Sequence, residues 1–269
     1  MINVAAIQMV STTTVNENLN IAQKIIAEAV SKNAKFITLP ENFALMARQN
    51  NDYQAITEKF GDGPLQFFLS EQSKQHHIWL LGGTIPLESD KSDKALAASL
   101  LYNSEGECVA SYEKIHLFDV LVNELDDESY NESNIFEPGD ELVVAQTEIG
   151  NIGLSVCYDL RFPELYRKMH DDDVQIITAP SAFTATTGEV HWETLLRARA
   201  IENLCYVIAS NQGGMHENER ETWGHSMIVD PWGKIIACVD RGPGVAIAAI
   251  DLDKQIKLRN NFPALSHMK

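Results

Sequence analysis

Three reactive side chains close three apolar, strand-prone runs. Glu41 follows Phe36-Ile37-Thr38-Leu39-Pro40, Lys114 follows Cys108-Val109-Ala110-Ser111-Tyr112-Glu113, and Cys157 follows Ile152-Gly153-Leu154-Ser155-Val156. In an open α/β sheet the positions just past the carboxyl ends of strands face the crevice where ligands bind. A carboxylate, an ammonium and a thiol that converge there supply a general base, an oxyanion partner and a nucleophile, the set needed for covalent hydrolysis of an amide.

Each residue also has a plainer explanation. A free cysteine in a buried strand is usually a small core hydrophobe. Cys157 differs because helix-prone residues follow it, Tyr158-Asp159-Leu160-Arg161-Phe162-Pro163-Glu164. A helix N-terminus carries partial positive charge and favours thiolate over thiol. Cys108 follows the turn Glu105-Gly106-Glu107, and Cys205 and Cys238 sit within strand patterns, so these three read as structural. Glu41 is either a base partnered by the ammonium or thiol, or a helix N-cap on the next segment. Lys114 alone would be a solvated surface lysine; aimed into a site, it would hold an oxyanion together with the backbone N–H of Tyr158.

Four residues after the nucleophile, Arg161 could grip a substrate carboxylate in bidentate fashion. A salt bridge to Asp159 or Glu164 is its alternative. Phe183 and Thr187 fit a pocket wall and a hydrogen-bond donor, or simple packing. The 8 histidines show no HxH, HExxH or paired CxxC spacing, and no Walker or GxGxxG loop occurs. No metal and no organic cofactor are expected.

The chain of 269 residues is long enough for one large α/β domain, and 45% hydrophobic and 22% charged residues suit a globular protein. A formal net charge of -17 argues against nucleic acid and anionic membrane surfaces. No stretch approaches a membrane span, the first strand has no signal-peptide character, and 4 scattered cysteines fit a reducing cytoplasm.

Strands are expected at 2–8, 36–40, 78–84, 98–103, 108–114, 152–157, 174–179, 205–210 and 245–251. Helices are expected at 16–32, 64–75, 162–169 and 189–203. A hairpin should join 224–230 to 235–239 through Asp230-Pro231-Trp232-Gly233. Residues 119–141 are rich in Asp, Glu, Asn and Ser without periodicity, which predicts a long acidic loop of functional character. No linker or repeat interrupts the chain, so a single domain over 1–269 is expected. Alternating β-rich and α-rich stretches suggest two packed sheets with helices outside.

With these motifs assembled, the sequence resembles the nitrilase (carbon–nitrogen hydrolase) superfamily. Its Glu–Lys–Cys set falls on Glu41 in LPEN, Lys114 in YEKIHLFD and Cys157 in VCYDLRFPE, and its second glutamate on Glu132 in Tyr130-Asn131-Glu132-Ser133. Residues 122–132 are more acidic than the Gly- and Pro-rich family version. Ser181-Ala182-Phe183 through Thr187-Gly188, His191-Trp192-Glu193, LLRARAIE at 195–202 and GHSMIVDPWG at 224–233 look like the Nit branch.

Within that branch, RARAIE, the Gln212-Gly213-Gly214-Met215-His216 loop and Arg259-Asn260-Asn261-Phe262-Pro263 look most like amidases of deaminated glutathione. The resemblance implies a four-layer α-β-β-α sandwich, a homodimer, and thioester hydrolysis of the terminal amide of a small anionic substrate with release of ammonia. In-class alternatives are an ω-amidase acting on 2-oxoglutaramate and an N-carbamoyl amino acid hydrolase. A catalytically silent scaffold of the same fold is the reading from a different class. Charge on the helix LLRARAIE, from Arg197, Arg199 and Glu202, suggests pairing across a dimer interface.

Overall fold

The structure, a computed structural model, describes residues 1–123 and 128–268. Two sheets stack with helices on both outer faces, giving the four layers expected. In the first sheet the parallel strands Ile2–Gln8, Phe36–Thr38 and Trp79–Leu81 lie side by side. Gly244–Ile250 pairs antiparallel on one edge, and Ala95–Tyr102 continues the other, carrying Ile85–Glu88 and Cys108–Glu113. The second sheet runs Val144–Thr147, Gly150–Leu154, Ile176–Thr178, Tyr206–Ala209, Met227–Val229, Ile235–Cys238, with the middle three junctions parallel, parallel and antiparallel.

Strand alternation sorts the core. Val4, Ala6 and Phe36 point between the sheets and pack with Ile152, Leu154 and Ile176 of the second sheet. The intervening Ala5, Ile7 and Ile37 face outward onto Ala22, Ile25, Ile26 and Ala29 of helix Val15–Ser31, and onto Leu65 and Leu69 of helix Pro64–His76. On the far side Tyr166, Trp192, Leu196 and Ala200 cover the second sheet. Gly153 lies under that layer, where an added Cβ would meet the Met169 sulfur at 2.6 Å.

Several strands stop short of their expected ends: Thr38 and Leu154 are the last strand residues before Glu41 and Cys157. The extra residues, Leu39-Pro40 and Ser155-Val156, carry the chain off the sheet edge and into the crevice. The helix expected over 189–203 is confined to Glu193–Asn203; a short turn at Ala185–Thr187 and a wide turn at Gly188–Trp192 lead into it. Helix Leu252–Asn261 was not anticipated; it is mostly polar and buries only Gln255, so it has no apolar stripe to signal it.

The acidic segment is also more ordered than its composition suggests. Asp119–Asn123 and Glu128–Asn131 pair antiparallel, followed by a single turn Glu132–Asn134 and a short strand Phe136–Glu137. Residues 124–127 of that segment lie outside the described residues.

Candidate active site

Cys157 sits on a sharp turn. Its φ is +48°, a left-handed conformation that non-glycine residues seldom adopt and that marks a residue held in place by its surroundings. Its N–H donates to the Pro180 carbonyl at 2.9 Å, anchoring the turn to the neighbouring strand's end. The cysteine opens a tight 3₁₀ turn, Cys157–Arg161; the α-helix starts only at Pro163.

Asp159, fully buried, braces this turn. One oxygen accepts from the Val156 N–H at 2.8 Å and the Tyr112 hydroxyl at 2.7 Å, and the other lies 3.1 Å from the His116 N–H and 2.7 Å from its Nδ1. The carboxylate therefore ties the nucleophile turn to the strand and loop that carry Lys114.

Glu41 reaches the site from the first sheet. Its Oε2 accepts from the Ala182 N–H at 2.8 Å, and its backbone carbonyl accepts from Gln212 Nε2 at 3.0 Å. The turn behind it is tight enough to require glycine at 83, where φ is +55° and a Cβ would collide with the Pro40 carbonyl oxygen. Lys114, 2% exposed, follows the strand Cys108–Glu113. Its Nζ lies 2.8 Å from Glu41 Oε1 and 2.8 and 2.7 Å from the two oxygens of Glu132. Glu132 is fixed in turn by the Phe118 N–H at 2.7 Å.

The charges decide protonation. Burial works against the Lys114 ammonium, but Glu132 and Glu41 outweigh it and hold its pKa well above the ordinary range. Burial pushes Glu132 upward, with Lys114 pulling the other way. For Cys157 burial, reinforced by the Glu41 charge, drives the pKa well above that of a free thiol despite Lys114. The sequence-based expectation of a resting thiolate is therefore corrected. Among the described residues no α-helix N-terminus abuts the sulfur, and desolvation dominates. The thiol must lose its proton during attack, to a base beside it.

Two cavities meet at Cys157. One, of about 220 Å³, is lined by Glu41, Lys114, Glu132, Tyr53, Tyr130 and Arg220 together with Cys157. The other, of about 10 Å³, is bounded by Cys157, Tyr158, Arg161, Phe183, Thr184 and Thr187. Arg161 makes no ion pair with Asp159 or Glu164. Its guanidinium lies 5.7 Å from the Tyr158 ring and 5.5 Å from Phe183, and Nη1 is 3.2 Å from His191 Nδ1. Thr187 shares its hydroxyl with Thr184 at 2.9 Å, and Phe183 packs on Trp192. Every site residue expected from sequence thus borders Cys157 or its partners.

Arg220, Tyr53 and Tyr130 were not foreseen. Arg220 sits in Glu217-Asn218-Glu219-Arg220-Glu221, which reads as a solvated charged loop; nothing in its spacing announces a cavity. Burial pushes the Tyr53 hydroxyl up to about 12, so it remains a phenol.

Residues 3–260 match the family described as carbon-nitrogen hydrolase. The chain is 40% identical over 267 residues to a deaminated glutathione amidase of Yersinia enterocolitica, covering 98% of this chain and 92% of the relative. It is 39% identical over 270 residues to the human deaminated glutathione amidase, covering 99% and 82%. Among solved structures it superposes on the C. elegans NitFhit protein with a TM-score of 0.89 and 37% identity, over 99% of this chain and 65% of that longer one. Saccharomyces cerevisiae Nit3, a member of branch 10 of the nitrilase superfamily, gives 0.86 and 29%, over 97% and 94%.

Proposed function

The chain belongs to the carbon–nitrogen hydrolase family and is an enzyme acting on amides, and we propose that its substrate is deaminated glutathione, cleaved through a thioester on Cys157. The observation that carries the mechanism is the buried Glu41–Lys114 pair with the part-buried Glu132 beside it, a set that shares one cavity with the cysteine.

Glu41 takes the thiol proton as sulfur attacks the amide carbon, forming the S–C bond. Lys114 and the Tyr158 N–H hold the oxyanion of the tetrahedral intermediate. The C–N bond breaks as Glu41 returns the proton to the departing nitrogen. Water then attacks the thioester, again losing a proton to Glu41, and the S–C bond breaks to give the acid and restore the thiol. Glu132 keeps Lys114 charged and in position through both of its oxygens.

The identity of the leaving group follows from the substrate. Deaminated glutathione has lost its amino group and contains only secondary amides, so an amine departs. Ammonia release, expected from sequence, belongs to a primary amide such as 2-oxoglutaramate. Arg161, with Phe183 and Thr187 around it, binds the acyl-side carboxylate in this scheme.

The proposed domain runs over 1–269 and works as a cytoplasmic homodimer. Among the described residues no helix is long and apolar enough to cross a membrane. The cysteines Cys108, Cys157, Cys205 and Cys238 are all free, which suits a reducing compartment.

The support for dimerisation differs from that first expected. Arg199 is buried within its own chain, donating to the Leu160 carbonyl and to Glu202, and Arg197 bonds Glu193 and the Gly233 carbonyl. The charges thus need no partner. An apolar patch of Ile201, Trp232 and Phe262 stays exposed beside that helix instead, and burying it would drive association. Sedimentation at micromolar concentration should show twice the 30.0 kDa chain mass; a monomer would overturn the dimer.

Assay of acid and amine or ammonia release from deaminated glutathione, 2-oxoglutaramate and N-carbamoyl amino acids tests the substrate. The first should give the highest kcat/KM. Preference for either of the others reassigns the substrate, and silence on all three supports a scaffold.

A further inference from the structure

Arg220 is a guanidinium facing the larger cavity with donor capacity left over. Its Nη2 donates to the Ala182 carbonyl at 2.6 Å, and its cationic carbon lies 5.0 Å from the Tyr130 ring centroid. Its Nε is sealed from solvent and has no hydrogen-bond partner. Among the described residues no carboxylate stands within ion-pair distance of it. Arg220 is part-buried, and a partly desolvated cation with a sealed, unpaired N–H and no counter-charge favours an incoming anion. Lys114, the other cation of this cavity, already directs its ammonium to Glu41 and Glu132.

The two cavities can be told apart by what they hold. Cys157 borders both, Arg161 only the smaller, and Glu41 and Arg220 only the larger. The departing nitrogen must receive its proton from Glu41, so it leaves on the Glu41 side. The larger space also suits the larger fragment. Ala182 links the two functions, since its N–H holds Glu41 Oε2 and its carbonyl holds Arg220 Nη2.

We infer that Arg220 binds a carboxylate carried by the departing amine. The enzyme would then recognise an amide with an acid at each end, the acyl-side acid at Arg161 and the leaving-side acid at Arg220. The inference rests on the amidase reading above. Its ligand class is a 2-oxo acid joined through an amide to a short peptide with a free C-terminus, and deaminated glutathione has that form. The two cations flanking the nucleophile would let a protein of net charge -17 hold a dianion.

The test compares kcat/KM for three 2-oxoglutaryl amides: that of cysteinylglycine, that of cysteinylglycine capped as its C-terminal amide, and 2-oxoglutaramate. The wild-type enzyme should prefer the free acid over the capped peptide by roughly tenfold or more, the scale of one charged hydrogen bond. Arg220→Ala should bring that ratio near one, mainly through KM, and Arg220→Lys should restore part of it. Product inhibition by free cysteinylglycine, stronger than by its amide, gives the same readout without a variant that might misfold.

Equal wild-type rates on free and capped peptide overturn the inference, as does an Arg220→Ala loss of equal size on both. Turnover of none of the three overturns the amidase reading itself, a result distinct from an absent preference.

Discussion

The Cys157 amide donates to the Pro180 carbonyl at 2.9 Å, joining the nucleophile's turn to the end of the next parallel strand. That bond holds a left-handed residue in place whatever its side chain. Cys157→Ala should therefore keep the fold and lose turnover, because alanine meets the same backbone strain and lacks the sulfur. Cys157→Gly should be equally inactive yet more stable than the alanine variant by about 1 kcal/mol, the left-handed penalty being relieved. Denaturation midpoints and activity on the same preparations check both. Residual turnover above a few per cent of wild type in the alanine variant would end the thioester mechanism.

Glu41→Gln preserves shape but cannot accept a proton, so kcat should collapse almost as far as for the cysteine variants. Lys114→Ala should cost both activity and stability. It removes an oxyanion partner, a loss of about 3–4 kcal/mol in the transition state. It also leaves the buried Glu41 carboxylate without its counter-charge and facing the part-buried Glu132, destabilising the fold by about 3 kcal/mol. A Lys114→Ala enzyme with wild-type stability would mean that the pair is not buried as described.

Arg161 should separate acyl groups. Arg161→Lys loses the planar fork, and Arg161→Ala loses roughly 1.5–3 kcal/mol of binding to substrates with an acyl-side carboxylate. A neutral analogue should be affected little. Equal losses on both would make Arg161 a brace for the Tyr158–Phe183 wall against which it packs.

His216 should contribute to acid sensitivity. It is buried, with Nδ1 2.8 Å from the Ser11 carbonyl and Nε2 2.8 Å from the Thr222 hydroxyl. Burial lowers its pKa from 6.5 to about 4, with Arg220 adding to the effect and the Ser11 hydrogen bond opposing it. The unfolded chain then takes up a proton near pH 6.5 that the folded chain refuses until near pH 4. Stability is present above pH 6.5 and falls through that window, by no more than about 3.4 kcal/mol at 1.36 kcal/mol per pKa unit. Urea midpoints at pH 7 and pH 4.5 should show a smaller drop for His216→Gln than for wild type. An identical drop would remove His216 from the account.

The reactive triad was legible because each member stands where a β-patterned run ends, and sequence periodicity reports such ends well. Helix Val15–Ser31 was legible for the same reason, its Ala22, Ile25, Ile26 and Ala29 forming one buried face. Arg220 was not. Its role depends on a loop folding back so that the His216 N–H meets the Arg220 carbonyl, and no local pattern encodes where that loop lands. Asp159 looked like a partner for Arg161, yet contacts from Tyr112 and His116, distant in sequence, claim it. The Cys157 protonation state was misjudged because burial, the dominant influence, is a property of the packed molecule.

Glu41 and Lys114 hang from one sheet and Cys157 from the other, and a buried contact of 2.5 Å between the Thr38 and Ser210 hydroxyls joins the two beneath them. Catalysis is therefore a gauge of alignment between layers. A chain whose sheets had each formed but slid past one another would keep its circular dichroism and its mass while the gap between thiol and carboxylate opened. During refolding, activity should consequently return last, after secondary structure and tryptophan burial, and at the rate with which the layers lock.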